Sequence, residues 1–533
     1  MPFLNVDPDS YHPIIYIRGF AMNQADIDET TADPFCGFNV GSTVYRARPS
    51  PAAPARFVFE SPVMRLVTEH NYANVISQGL DLSSATFNAD IPRRSIIVHH
   101  YYDQASELLG DGKTPSITQF AEDLDMLIAR LYDRVITGLD GYQDKDRDFR
   151  CYLVAHSMGG LVARTFLQNP GLRRDPRNMR GRVLKLFTYA TPHNGIDFGG
   201  FNVPSFLRSH EIDTFNRDEM ADYLDLDARF HATKSVAWIP QSSLAASQIF
   251  TLIGTNRQDY EVALGLSRTF VGKGSDGLVK IENASLTGFN NENAIEEPCA
   301  KAFVFRSHSG FFGIVNSEEG YQNLQRFLFG DYRVDIWLDV NDVTLPPGDL
   351  ATADAAGTLD GSYPVELIVS IRNKPWFLTR RVAVEDSAAV FEHHDLRVDP
   401  KPTPPVSKAL STVFLANWGK KDPDNPTVAY RMQLSVLMPD YQIDKRDASD
   451  NQYEGSKIFS GAAIIELKTD VVPWTATYWW ESEAPGSSAP PVVRPLTLTP
   501  APTGNTLIAT IPVQSGGAVK IDATIRLIAS KWS

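Results

Sequence analysis

Residues 152–164 constrain the fold of this 533-residue chain more than any other segment. They read Tyr-Leu-Val-Ala-His-Ser-Met-Gly-Gly-Leu-Val-Ala-Arg: an apolar strand, a serine between small residues, and then a helical pattern. A sharp turn from strand to helix crowds the side chains before and after the serine, so small residues are needed there. Ala155, Gly159 and Gly160 meet that need. The segment therefore predicts a turn that lifts Ser157 to the carboxyl edge of a parallel sheet.

The first 330 residues or so alternate short β-branched runs with longer helical patterns. This alternation is typical of a parallel sheet with helices packed on it. Buried strands are predicted at 13–17, 95–99, 152–155, 183–189, 249–253 and 302–305. Apolar residues recur at helical spacing over 117–131, which predicts an amphipathic helix. Further helices are predicted from the turn at Ser157 to Asn169-Pro170 and over 320–329.

From about Val334 onward the apolar residues recur with a period of two, as in 365–371 and 519–527. Alternation with few helical stretches is typical of an antiparallel sandwich or barrel. We therefore expect an α/β unit over residues 1–332 and a β-rich, sandwich-like unit over 333–533. Within the first unit, residues 197–248 lie between two predicted strands and form an insertion.

The charge of the chain argues against one class of function. The formal net charge is −14, and the only basic cluster is a short arginine run between residues 173 and 182. Binding to nucleic acid draws much of its affinity from Lys and Arg side chains that neutralise phosphates. We therefore expect no nucleic-acid partner.

Cysteine content and the N-terminus bear on the compartment. The cysteines are Cys36, Cys151 and Cys299, too few and too scattered for a disulfide framework or a closely spaced metal site. Residues 1–11 lack the basic and apolar regions of a signal peptide, and no apolar run has the length of a membrane-spanning helix. We expect a soluble protein, either cytoplasmic or secreted without a visible signal.

The segment from Ala155 to Gly160 resembles the nucleophile elbow of small bacterial lipases, which belong to the α/β-hydrolase superfamily. The resemblance covers about the first 330 residues and implies the α/β-hydrolase fold, with Ser157 as the nucleophile. It also assigns an oxyanion hole to the backbone N–H groups of Phe20 and Met158. Arg18 stands where the family commonly has histidine, so the loop departs from the family's pattern at this position.

In this superfamily the acid and the base both follow the nucleophile along the chain. Asp276, in Gly-Ser-Asp-Gly-Leu-Val, is similar to the segment that carries the acid in larger bacterial lipases. Asp259 lies nearer the preceding strand and is the alternative. His308 comes directly after the last predicted strand, 32 residues after Asp276, and is the expected base.

Four other histidines deserve comparison with His308. His193, in Ala-Thr-Pro-His-Asn-Gly, is a rival, but it precedes the acid and is interpreted as structural or as part of the pocket wall. His156 adjoins the nucleophile and is expected to face away from it. His393 and His394 lie in the β-rich part of the chain and are poorer candidates.

Together these features predict a serine hydrolase that cleaves carboxylic esters through an acyl-enzyme, as lipases and esterases do. The alternatives are an acyltransferase or phospholipase with the same triad, or a non-catalytic lipid-binding protein of the same fold. No cofactor or metal is expected, and the calcium site of larger bacterial lipases is not carried over because Ser309-Gly310 follow His308.

Two aromatic regions suggest how a lipid or ester substrate could be held. In the insertion, aromatic residues could form an apolar lid or could simply pack on the sheet: Phe198, Phe201, Phe206, Phe215, Phe230 and Trp238. In the β-rich unit, Trp474, Trp479 and Trp480 could contact a lipid surface or could belong to the core. The oligomeric state cannot be predicted from these patterns.

Overall fold

The chain divides into two compact units in a computed structural model. Unit 1 comprises residues 1–301 and 306–329, and unit 2 comprises residues 302–305 and 330–533. The structure describes residues 6–19, 28, 32–33, 35–38, 42–46, 55–59, 61–77, 80–106, 113–196, 213–259, 274–290, 295–310, 312–372, 374–397, 405–420, 427–443, 446–447, 456–483, 491–501 and 506–532.

A seven-stranded sheet organises unit 1. Its strands are β1 (Ile14–Ile17), β2 (Ala73–Asn74), β3 (Ser95–His99), β4 (Cys151–His156), β5 (Val183–Tyr189), β6 (Ile249–Gly254) and β7 (Ala300–Val304). Their spatial order is β7-β6-β5-β4-β1-β3-β2. Every pairing from β2 to β6 is parallel. The carboxyl ends of these strands therefore meet at one edge of the sheet, where a parallel α/β fold places its functional residues.

The longer helices of unit 1 are α1 (Pro62–His70), α2 (Ile117–Arg134), α3 (Met158–Gln168), α4 (Arg217–Tyr223), α5 (Asp227–Thr233) and α6 (Glu318–Phe329). Local sequence explains where α2 begins, because the Ser116 hydroxyl accepts a hydrogen bond from the Gln119 N–H at 3.3 Å. The predicted apolar stripe of this helix is buried. After Gln168 the Asn169-Pro170 pair ends α3, since proline cannot continue a helix.

Short strands complete unit 1. Ser42–Arg46 pairs with Ala55–Phe59, and Ile76–Ser77 pairs with Leu80–Asp81. Trp238–Pro240 pairs in parallel with Thr287–Asn290, which pairs antiparallel with Ile295–Pro298.

The described part of the 197–248 insertion is packed, not open. Phe215 and Phe230 are buried in the core cluster of unit 1, and Trp238 packs against that cluster. For these three aromatic residues the structure favours packing over a lid. Phe198, Phe201 and Phe206, the predicted lid residues, lie outside the described residues.

Unit 2 is built mainly from antiparallel strands: β8 (Tyr332–Thr344), β9 (Leu359–Asp360), β10 (Ser362–Ile371), β11 (Thr379–Arg381), β12 (Ala389–Glu392), β13 (Val406–Leu415), β14 (Thr427–Leu437), β15 (Gln442–Ile443), β16 (Arg446–Asp447), β17 (Lys457–Lys468), β18 (Thr475–Trp480), β19 (Arg494–Leu496), β20 (Thr499–Pro500), β21 (Thr506–Gln514) and β22 (Lys520–Lys531), with one helix, α7 (Asp349–Ala356). One sheet has the order β13-β8-β22-β21-β20. A second has the order β11-β10-β14-β17-β18-β19, with β12 beside β10, and β9-β15-β16 form a small third sheet.

One apolar cluster holds unit 2 together, and both large sheets contribute to it. Ile336 and Ile525 come from the first sheet, while Leu367 and Met432 come from the second. Alternate residues point inward because successive side chains of a strand face opposite sides, which explains the period of two in the sequence. Trp474 and Trp480 pack against the cluster, whereas Trp479, only 8% exposed, lies on the other face of its strand beneath Arg372. Trp474 and Trp480 therefore belong to the packing of the unit 2 core.

The three cysteines are buried. Among the described residues, no helix is both long enough and apolar enough to cross a membrane.

Candidate functional site

The turn at Ser157 has the backbone conformation that the sequence predicts for a sharp elbow. Ser157 lies between β4 and α3 with φ 53° and ψ −126°, a conformation that residues other than glycine rarely adopt. Its N–H donates to the Tyr189 carbonyl at 2.9 Å, and its own carbonyl accepts from the Gly160 N–H at 3.0 Å. The Thr191 hydroxyl donates to the same carbonyl at 2.9 Å. These bonds hold the strained residue in place.

Close packing explains the small residues around the turn. A Cβ on Gly159 would lie 2.3 Å from the Ile17 carbonyl oxygen and 2.4 Å from that of Arg18. A Cβ on Gly160 would lie 2.1 Å from the Thr191 hydroxyl oxygen. The first contact is with backbone, which cannot move aside as a side chain can. Gly159 is therefore the position where the elbow tolerates no side chain.

We expect Gly159→Ala to destabilise unit 1 by about 3 kcal/mol or more, because overpacking against backbone forces the elbow and β1 apart. Alanine would otherwise favour a helix by about 1 kcal/mol over glycine. Urea unfolding measures the effect. Gly171→Ala is the control, since a Cβ there meets only the Asn169 side-chain oxygen, at 3.2 Å. Equal stability of the two variants would contradict this account of the elbow.

The structure brings His308 between Ser157 and Asp276. His308 Nε2 lies 2.9 Å from Ser157 Oγ, and His308 Nδ1 lies 3.0 Å from Asp276 Oδ2. The carboxylate can only accept, so Nδ1 carries the hydrogen and Nε2 is left to accept the hydrogen of the Ser157 hydroxyl. All three side chains are buried, which strengthens each hydrogen bond by excluding water.

Asp276 is held by its own turn. Its Oδ1 accepts from the N–H groups of Leu278, at 3.0 Å, and Val279, at 2.8 Å. Its other oxygen, Oδ2, is thereby left to face His308. A backbone hydrogen bond also joins the two residues, because the His308 N–H donates to the Asp276 carbonyl at 3.0 Å. A Cβ on Gly254, at the end of β6, would lie 2.8 Å from Asp276 Cβ, so this glycine makes room for the carboxylate.

The loop that carries His308 is anchored on both sides. Arg306 donates from Nε and Nη2 to Glu319 Oε2, at 3.0 and 2.7 Å, which ties the loop to α6. The Arg306 carbonyl accepts from the Asn256 N–H at 3.2 Å, beyond the end of β6. His308 therefore lies on a loop that is fixed by two neighbouring elements.

The proposed oxyanion donors can be placed only in part. Met158 is the first residue of α3, where backbone N–H groups and the positive end of the helix dipole face the serine. Phe20, the other donor, lies outside the described residues. Gly19 is described: a Cβ there would lie 2.7 Å from Ser157 Cβ, so the loop after β1 approaches the serine closely. The Arg18 carbonyl accepts a hydrogen bond from the Tyr101 hydroxyl.

The rival acid and the rival base lie outside this chain of hydrogen bonds. Asp259 Oδ2 accepts from Asn256 Nδ2 at 2.5 Å. His193 Nε2 lies 3.1 Å from the Thr188 hydroxyl, and burial lowers the pKa of His193 well below its usual range. In unit 2, His393 is 2.9 Å from Asp354 and 2.7 Å from the Tyr363 hydroxyl. None of these side chains is hydrogen-bonded to Ser157.

A buried arginine holds the loop of His193. Arg164, on α3, is completely buried and donates to the carbonyls of His193, Val236 and Trp238, each at 2.8 Å. Burial lowers the pKa of its guanidinium to about 10, so the group stays charged at neutral pH. It fixes the loop after β5 beside the elbow.

Sequence reasoning missed one residue of the site. His156 was expected only to face away from the nucleophile, and no contact with His308 was predicted; its Nε2 lies 2.9 Å from the His308 carbonyl oxygen. The two imidazole rings are 5.0 Å apart between centroids. The only sequence signal was its position beside Ser157. Among the described residues, no group of three His, Cys, Asp or Glu side chains is placed to hold a metal ion.

The parallel sheet, the strained serine between β4 and α3, and the residues gathered at the carboxyl edge define an α/β-hydrolase type of fold. Three solved structures show weak similarity to this chain. A lipase of Bacillus licheniformis, BlEst2 in its mature form, is 14% identical, with 62% of this chain and 96% of that chain covered and a TM-score of 0.28. Phospholipase PlaB of Legionella pneumophila is 13% identical, with 79% and 85% covered and a TM-score of 0.29.

The Tle1 effector bound to the VgrG spike of a type 6 secretion system is 11% identical, with 70% of this chain and 66% of that chain covered and a TM-score of 0.22. TM-scores this low do not indicate that the activity is shared. No protein-family model and no curated protein matches the chain. The functional proposal therefore depends on the geometry of the site itself.

Proposed function

We propose that this protein is a serine hydrolase that cleaves carboxylic esters, of the lipase or esterase type. The observation that carries the proposal is the hydrogen-bond chain from Ser157 Oγ through His308 to the carboxylate of Asp276. An activated serine needs a base within hydrogen-bond reach and a third group that orients the base. Buried side chains on separate loops meet both requirements.

The mechanism follows from the roles of these atoms. His308 Nε2 takes the hydroxyl proton as Ser157 Oγ attacks the acyl carbon, and Asp276 stabilises the imidazolium that forms. His308 then gives the proton to the leaving alkoxide, so an alcohol departs and an acyl-enzyme is left. Water, deprotonated by His308, attacks the acyl carbon; the bond from that carbon to Ser157 Oγ then breaks, the acid is released, and His308 returns the proton to Ser157 Oγ. The Met158 N–H, with that of Phe20, would stabilise the oxyanion in both steps.

An apolar acyl group is the expected substrate feature. Ligand sites gain affinity mainly by burying apolar surface, and the segment 197–212 that adjoins the loop after β5 is rich in phenylalanine, with Phe198, Phe201 and Phe206. We propose these three residues as the acyl-binding surface. A set of p-nitrophenyl esters of graded chain length, with a phospholipid beside them, measures the preference.

We expect a fluorophosphonate to inactivate the protein by forming one covalent adduct, on Ser157. Only a serine activated by a neighbouring base reacts readily with such a probe, since its oxygen must displace fluoride at phosphorus. Intact mass spectrometry counts the adducts, and peptide mapping locates them. His308→Ala should slow the labelling by orders of magnitude, while Ser309→Ala, beside the base, should not. An adduct on another serine, or esterase activity that survives complete labelling of Ser157, would refute the proposed function.

A further inference from the structure

His156 makes one hydrogen bond that its place in the elbow does not require. Its Nε2 donates to the His308 carbonyl at 2.9 Å, since a carbonyl oxygen can only accept. Its Nδ1 lies on the side of Gly19, where an added Cβ would come within 3.1 Å of it. The imidazole therefore bonds the loop that carries His308 and packs close to the loop after β1.

The contact completes the anchoring of the base. The His308 N–H donates to the Asp276 carbonyl, and the His308 carbonyl accepts from His156, so both backbone groups of His308 have partners. The side chain of His308 is fixed in turn by Asp276. Asp276 thus fixes the side chain and the N–H of His308, and His156 fixes its carbonyl.

The charge of His156 suits this position. Burial, and to a smaller extent the neighbouring His308, lowers the pKa of His156 to about 3. His156 is therefore neutral at the pH where esters are hydrolysed, with its hydrogen on Nε2. A neutral ring 5.0 Å from His308 does not repel the imidazolium that forms during catalysis.

We propose that His156 is a positioning residue for the proposed reaction: it ties the backbone of His308 to the nucleophile strand and so keeps Nε2 of the base within reach of Ser157 Oγ. Proton transfer depends steeply on this distance, and a displacement of about 1 Å can lower a rate about 100-fold. The inference rests on the proposed ester hydrolysis and adds to it the residue that maintains its geometry.

The test compares His156→Phe, which keeps a ring and removes the donor, with His156→Gln, whose amide nitrogen can take the place of Nε2. Rates are divided by the number of sites titrated with a fluorophosphonate, so that loss of folded protein does not count. For His156→Phe we expect kcat to fall about 10- to 100-fold with KM within about twofold of wild type. The rate constant of fluorophosphonate inactivation should fall in proportion. His156→Gln should recover most of the loss.

A second pair of variants keeps the test decisive if His156→Phe does not fold. The amide nitrogen of His156→Asn is one methylene shorter than that of His156→Gln and cannot reach the His308 carbonyl. We expect the asparagine variant to lose kcat and the glutamine variant to keep it, with similar melting temperatures. A kcat per titrated site within twofold of wild type for His156→Phe or His156→Asn would overturn the inference. The proposed function would fail separately, through an active Ser157→Ala.

Discussion

Ser157→Ala is expected to lower kcat for ester hydrolysis by roughly 10⁶-fold, the loss found when the serine of a comparable triad is removed. The reason is chemical: without Oγ no acyl-enzyme can form, and His308 has no nucleophile to deprotonate. Steady-state hydrolysis of a p-nitrophenyl ester measures the effect. The substitution removes one oxygen and leaves the backbone bonds of the elbow to Tyr189, Gly160 and Thr191 in place.

Two further variants separate loss of chemistry from loss of structure. Ser157→Gly should be equally inactive yet more stable than Ser157→Ala, because φ 53° strains a residue with a Cβ by about 1–3 kcal/mol and glycine little. Ser309→Ala should keep near-normal activity. If Ser157→Ala retained substantial turnover on the same ester, the active centre would have to lie elsewhere.

Asp276→Asn is expected to lower kcat about 10⁴-fold, the size of effect seen for the same change in a serine protease. The geometry predicts why. An asparagine would keep its oxygen on the Leu278 and Val279 N–H groups, which now bond Oδ1. Its NH₂ would then face His308 Nδ1, which must lose its hydrogen to accept. The hydrogen moves to Nε2, and the imidazole can no longer accept the proton of Ser157.

The matched control for this prediction is Asp259→Asn. Asp259 is the other acid that the sequence allows, but its Oδ2 bonds Asn256 instead of a histidine. We expect this variant to keep kcat within a few fold of wild type under the same assay. A crippled Asp259→Asn beside a nearly normal Asp276→Asn would reverse the assignment of the acid.

Interactions between residues that are close in sequence explain how much of the fold could be predicted from the sequence. The strand before Ser157 is a continuous apolar run because both faces of a central parallel strand are buried. Small residues around the serine follow from contacts within a few residues or with the next strand, such as Gly159 against Ile17. Helix α2 could be predicted because its apolar period and the Ser116 cap are local.

The sequence by itself therefore determined most strands of the central sheet, helices α2, α3 and α6, and the elbow, and it limited the candidate acid to Asp276 or Asp259 and the candidate base to His308 or His193. Only the tertiary structure decided which of these meet, because His308 and Asp276 are 32 residues apart and come together through strand order. It also decided that His156 bonds the His308 carbonyl, that Phe230 packs inside unit 1, and that Trp480 packs against the core of unit 2. The physical reason is the separation along the chain of the residues that interact. A strand pattern or a helix cap depends on residues that are close in sequence, whereas a hydrogen bond between two loops depends on which strands lie side by side.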